Sequence, residues 1–134
     1  MPNLIRLTTV TQERGSLTVV EKGVPFPVKR IFYTYQVPPG TVRGRHGNKR
    51  SRLGLVAGAG ACTVSGISAE GDAWTFRLED PALCLVLEPG EWHQMVFETA
   101  GTVLICFASE EYDPDEYFYD PPAVRGRAIR QNTA

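Results

Sequence analysis

An all-β fold, a sandwiched or closed antiparallel sheet with a jelly roll or small barrel foremost, is the class this sequence predicts. Three observations point there. Eight or nine short runs rich in β-branched, aromatic and aliphatic residues follow one another along 134 residues. Thirteen glycines and ten prolines punctuate these runs instead of filling one linker. Only the acidic, aromatic tail offers a helix, and neither GxGxxG nor GxxxxGK[ST] nor a strand–helix rhythm is present, which argues against a dinucleotide-binding or P-loop enzyme.

The elements follow in order. Leu4 to Val10 reads as a first strand, broken at Glu13-Arg14-Gly15, and Ser16 to Glu21 as a second. Gly23-Val24-Pro25-Phe26-Pro27 is a rigid connection, because prolines this close remove donors from any ladder. Val28 to Val37, with Ile31, Phe32, Tyr33, Thr34 and Tyr35, carries the strongest strand signal and ends at Pro38-Pro39-Gly40. Leu53 to Ala59 and Cys62 to Ile67 come next, then a hairpin turn at Glu70-Gly71-Asp72 with Trp74 to Leu78 returning from it. Leu83 to Leu87, Trp92 to Phe97 and Thr102 to Ala108 complete the strands. A helical turn starting near Pro114 suits a proline with acids beside it. One domain over residues 1–121 with a mobile tail over 122–134 is the expected organisation.

Fourteen basic against fifteen acidic side chains leave no broad positive excess for nucleic acid. The positive charge is local: Arg43, Arg45, Lys49, Arg50 and Arg52 share one stretch with no acid among them, which suits a small anionic ligand. Cys62, Cys84 and Cys106 lie in apolar runs and read as buried free thiols of a cytoplasmic protein. No apolar run has the length of a signal peptide core or a membrane span, so no membrane partner is expected.

The two histidines, His46 and His93, carry the candidate chemistry. His46 and Asn48 are two apart, so on a strand they share a face while Gly47 looks the other way. Two readings of His46 stand: an exposed spectator, or a pocket acid/base whose pKa the nearby cations lower. His93 either packs under Trp92 or enters the same pocket. Arg43, Arg45 and Lys49 form either a solvated face or a phosphate clamp. Phe32, Tyr33 and Tyr35 are core and strand formers, with an outward face able to stack a base. A metal site is not expected, since Asn48 stands where a second histidine ligand belongs and Arg50 and Arg52 crowd the place of an acid.

Five blocks carry a resemblance: Arg14 to Leu17, Pro25 to Tyr33, Arg43 to Lys49, Pro89 to His93 and Ala108 to Asp113. In order and spacing they resemble the nucleotide-sugar 3,4-ketoisomerases, over about residues 4 to 120. The resemblance implies a metal-free, cofactor-free cupin-type double-stranded β-helix (jelly roll), a homodimer, and a dTDP-linked keto-deoxysugar held in the open end of the barrel. It implies conversion of dTDP-4-keto-6-deoxyglucose to a 3-keto-6-deoxyhexose through an enediol, in deoxyamino-sugar biosynthesis. His46, Asn48 and Arg43 are then the catalytic candidates, with His93, Arg45, Lys49, Tyr33, Tyr35 and Arg14 binding substrate. The family signature Arg-Gly-x-His-Ala-His-Lys is departed from at Gly47 and Asn48, and its Arg-x-Tyr-Tyr is Arg30-Ile31-Phe32-Tyr33 here. Asparagine accepts no proton at neutral pH, so two alternatives stay beside the isomerase: a non-catalytic nucleotide-sugar-binding cupin acting as sensor or partner domain, and an isomerase of a different nucleotide sugar.

Overall fold

Side-chain alternation decides which face each strand buries, and the outcome is two mainly antiparallel sheets packed face to face. The computed structural model describes residues 1–22, 26–125 and 129–130. Its strands are β1 (Asn3–Arg6), β2 (Thr8–Gln12), β3 (Gly15–Val19), β4 (Arg30–Thr34), β5 (Val42–Asn48), β6 (Leu53–Ala59), β7 (Cys62–Ile67), β8 (Ala73–Leu78), β9 (Leu83–Leu87), β10 (Trp92–Phe97), β11 (Val103–Ala108), β12 (Tyr117–Phe118) and β13 (Ile129–Arg130). One sheet runs β1-β9-β6-β11-β4 and the facing sheet β12-β5-β10-β7-β8-β13, while β2 and β3 form a separate hairpin. The all-β sandwich expected from the sequence is the fold observed.

The core lies between the sheets. Leu53, Leu55 and Ala57 of β6, Leu85 and Leu87 of β9 and Leu104 of β11 meet Val64, Trp74, Phe76, Leu78 and Phe97 from the facing sheet. A second layer covers the outer face of the first sheet, where Leu7 and Phe26 pack on Val56, Cys84, Val86 and Phe107. β9 is therefore apolar on both sides, which explains its unbroken run Leu83 to Leu87. Cys62, Cys84 and Cys106 are free and buried, and burial pushes each thiol up to about 12.

Two expected strands are corrected. The run from Leu4 to Val10 is not continuous, because the buried Leu7 turns into the outer layer and its N–H donates to the Ala82 carbonyl at 2.7 Å. Beyond that kink β2 leaves the sheet and, among the described residues, pairs with β3 alone. Val28 to Val37 shortens to β4, since Gln36 at φ 57° cannot continue a pleat. The expected helical turn is a short 3₁₀ turn over Pro114–Glu116, capped by the Asp113 carboxylate accepting from the Asp115 N–H at 3.0 Å. Of the expected tail, Arg125 donates from its backbone N–H to the Gly71 carbonyl at 2.9 Å and from Nε to the Glu70 carbonyl at 2.8 Å. Ile129–Arg130 pairs in parallel with Trp74 and Thr75 of β8. Residues 126–128 and 131–134, and residues 23–25 of the expected rigid connection, lie outside the described residues.

Candidate active site

A bulge in β5 builds the site. β10 turns His93, Met95 and Phe97 inward, and His93 pairs across the ladder with His46. The next pairs are Gln94 with Gly44 and Met95 with Arg43, so Arg45 is an extra residue on β5. Simple alternation from His46 would send Arg43 outward. The extra residue inverts the parity and brings Arg43 into the cavity beside His46 and Asn48. The local cost is visible in Gly44 at φ 84° and Arg45 at φ 62°, the latter a conformation that side chains rarely adopt.

β12 closes the other side. Tyr117 pairs with Asn48 and faces the cavity, while Phe118 pairs with Gly47 on the opposite face. Arg30, Phe32 and Thr34 of β4 line the cavity from the first sheet. The His46 ring meets those of His93 and Tyr117 edge-on, with centroids 5.1 and 5.0 Å away.

Burial keeps the imidazoles uncharged. His93 is fully enclosed, and burial, followed by the charge of His46, lowers its pKa to about 4. Its Nδ1 lies 3.3 Å from the Glu91 carbonyl, which can only accept, so Nδ1 carries the proton and Nε2 the lone pair. Burial also lowers the pKa of His46, opposed by a hydrogen bond to the Gly44 backbone, and leaves a neutral base at pH 7.

Asn48 is anchored by a buried carboxylate. Glu116 accepts from Asn48 Nδ2 at 3.1 Å, from the Ser51 hydroxyl, and from the backbone N–H groups of Arg50 and Ser51 at 2.9 Å each. Burial raises the Glu116 pKa, but these hydrogen bonds outweigh it and the net shift is downward. The carboxylate acceptor fixes the amide orientation: Nδ2 must face Glu116, and Oδ1 is buried without a hydrogen-bond partner among the described residues.

The structure brings His46, Asn48, Arg43 and His93 together around one cavity. Arg45 and Lys49 do not line it: Arg45 is the extra bulge residue, and Lys49 follows Asn48 past the end of β5, its N–H donating to the Glu116 carbonyl at 2.8 Å. Tyr33 and Tyr35 point outward and border a shallow groove that shares Arg43 and Thr34 with the cavity. Arg14 sits at the tip of the β2–β3 hairpin. Distant acids reduce the local positive patch, since Arg50 pairs with Asp113 and Arg52 with Glu88, both at 2.9 Å. No cluster of three or more His, Cys, Asp or Glu side chains able to hold a metal occurs among the described residues, and the donors present are two imidazoles among guanidiniums.

This geometry has counterparts. The family model described as "FdtA: WxcM-like, C-terminal" matches residues 1–125. A TDP-4-oxo-6-deoxy-alpha-D-glucose-3,4-oxoisomerase of Aneurinibacillus thermoaerophilus is 32% identical over 117 residues, covering 85% of this chain and 83% of that protein. The chain belongs to the nucleotide-sugar 3,4-ketoisomerase family of cupins. QdtA, a sugar 3,4-ketoisomerase from Thermoanaerobacterium thermosaccharolyticum solved with TDP, superposes with a TM-score of 0.84 at 29% identity, over 89% of this chain and 88% of that one. A histidine-to-asparagine variant of the same enzyme, solved with TDP-4-keto-6-deoxyglucose, superposes with a TM-score of 0.84 at 28% identity, over 89% and 87%.

Three residues of this candidate site were not singled out from sequence: Arg30, Tyr117 and Glu116. Arg30 and the acidic, aromatic tail were both in view, but nothing local showed that residues 116–118 fold back onto β5. Among the described residues no helix is long and apolar enough to cross a membrane.

Proposed function

We propose that the protein is an isomerase of a TDP-linked 4-keto-6-deoxyhexose, TDP-4-keto-6-deoxyglucose foremost, and moves the carbonyl from C4 to C3 through an enediol. One observation carries the reading: a neutral imidazole, His46, lines a cavity among cations in a chain of this family. His46 takes the C3 proton, made acidic by the neighbouring ketone, as the C–H electrons become the C3–C4 double bond and the carbonyl pair moves to O4. The O3 proton passes to O4, the C3 carbonyl forms, and C4 receives the proton held by His46. Two hydrogens change place, and no electrons leave the sugar. Asn48 cannot share the proton transfer, so His46 acts alone. His93, neutral and fixed by Glu91, orients the sugar. Arg43, common to the cavity and the tyrosine-bordered groove, meets the diphosphate charge.

Incubation with TDP-4-keto-6-deoxyglucose and a coupled 3-aminotransferase should yield amino sugar. His46→Ala should lower kcat by about 10²- to 10⁴-fold, the usual contribution of a positioned base. Bound ligand with no product from the wild type would reject the reaction. Asn48 itself favours a second reading, a binding cupin whose second base is gone. An inert wild type that gains turnover in Asn48→His would establish the binder.

A further inference from the structure

Two successive residues of β5 occupy the left-handed backbone region, Gly44 at φ 84° and Arg45 at φ 62°. Glycine does so freely, and at Gly44 a Cβ would also lie 3.3 Å from the His93 carbonyl oxygen. Arg45 is different, because a residue with a Cβ resists positive φ. Nothing around its side chain offsets that cost: the side chain is exposed and makes no hydrogen bond or ion pair among the described residues. Backbone strain one residue from the candidate base, with no local contact to hold it, points to the geometry it imposes.

That geometry has two parts. The extra residue inverts the alternation, so that Arg43 and His46, three apart, line the same cavity. The φ of Arg45 also sets the tilt of the peptide that joins it to Gly44. In a flat strand a main-chain carbonyl lies in the plane of the sheet, and the side chain two residues on, standing perpendicular, does not meet it. Here the His46 ring does meet the Gly44 backbone, in a hydrogen bond that favours the protonated ring, so the ring donates and the Gly44 carbonyl accepts. His93 is held in the same manner, its Nδ1 3.3 Å from the Glu91 carbonyl. The charged and titratable side chains around His46 are Arg30, Arg43, His93, Tyr117 and Tyr119, with no carboxylate among them.

We propose that Arg45 is a positioning residue that acts through its backbone alone: its left-handed conformation turns the Gly44 carbonyl onto the His46 ring, fixing one tautomer, and turns Arg43 into the cavity. The Gly44–Arg45 peptide then takes the orienting place that a carboxylate holds in many acid–base pairs, and the Arg45 guanidinium is dispensable. The catalytic meaning of the assignment rests on the isomerase reading, while the geometry itself is measurable without turnover.

The test replaces Arg45 by residues that share the loss of charge and differ in backbone preference. Arg45→Val, β-branched and averse to positive φ, should lower kcat/KM for TDP-4-keto-6-deoxyglucose by roughly tenfold to a hundredfold, the effect of a misplaced catalytic group. The same variant should weaken TDP binding, through Arg43, and lower the NMR titration midpoint of His46, through loss of the carbonyl acceptor. Arg45→Gly and Arg45→Asn, which accept positive φ, should restore all three quantities to near their wild-type values. Arg45→Ala should fall between, and it replaces Arg45→Val if that variant does not fold. Equal loss across all four variants would make the guanidinium the working part and overturn the assignment. Wild-type TDP affinity and an unmoved His46 midpoint in Arg45→Val would overturn it too, whatever the variant's stability. A wild type that turns over no keto sugar, while TDP affinity and the His46 midpoint still follow the backbone order, would sink the isomerase and leave the bulge assignment standing.

Discussion

At the scale of single residues, burial separates the roles of the titrating groups. Because burial lowers the His46 pKa, the base form persists further into acid than in an ordinary histidine. The acid limb of kcat/KM should therefore fall below pH 6.5, the unperturbed value, and a limb at or above it would remove His46 as the base. His93 leaves a mark on stability. Its folded pKa is about 4 against 6.5 unfolded, so the unfolded chain binds the extra proton between those values. Stability is full above pH 6.5 and drops on acidification, with a slope approaching about 1.4 kcal/mol per pH unit. Glu116, whose pKa is also lowered, loses its contribution only as pH falls below 4.5, so most of the His93 window lies above it. Urea midpoints of the wild type and His93→Gln at pH 7, 5.5 and 4.5 should converge in slope only if His93 is not the source. The shared face of His46 and Asn48 was legible from their spacing. Arg43 was named for its charge, but its place in the cavity depends on the bulge at Arg45, which no alternation pattern reveals.

At the scale of elements, the packing of β12 on β5 depends on Gly47. A Cβ there would lie 2.2 Å from Phe118 Cζ and 2.8 Å from the Glu91 carbonyl oxygen. The family signature has alanine at this place, and here the Phe118 ring takes the space. Gly47→Ala should therefore cost roughly 1–3 kcal/mol, the usual range for overpacking, and should lower kcat by displacing Tyr117. Phe118→Leu alone should be milder, and the double variant should recover part of the loss. Strict additivity in chemical denaturation would show that the two side chains do not meet. The remaining ladder was readable because long runs such as Leu83 to Leu87 and Trp92 to Phe97 are bounded by turn residues and alternate or stay apolar throughout. β12 was not, since two residues carry no period and their partner lies nearly seventy positions away. The kink at Leu7 was hidden for another reason: a leucine continues a strand pattern equally well whichever layer it enters.

At the scale of the whole molecule, the β2–β3 hairpin leaves its apolar face without cover in a single chain. Among the described residues its strands pair only with each other, and Val10 and Leu17, direct cross-strand partners, are 50% and 60% exposed. An isolated two-stranded hairpin is marginal in water, so its order calls for a further surface. The outer face of β4, the edge strand of the first sheet, offers one in Ile31 and Tyr33, continued by Tyr35 just past the strand's end, all exposed. Docking the hairpin of one subunit on a second copy would cover both features and protect the edge, the usual remedy for an unpaired strand. The expected assembly is a homodimer. Light scattering at low micromolar concentration should give twice the 14.8 kDa chain mass. A charge on the hairpin's apolar face, as in Leu17→Lys, should shift the mass toward the monomer while the core sandwich, which contains neither Val10 nor Leu17, keeps its unfolding midpoint at high dilution. A wild-type mass that stays at one chain as concentration rises would mean that the hairpin stands without a partner, and the dimer would have to be abandoned.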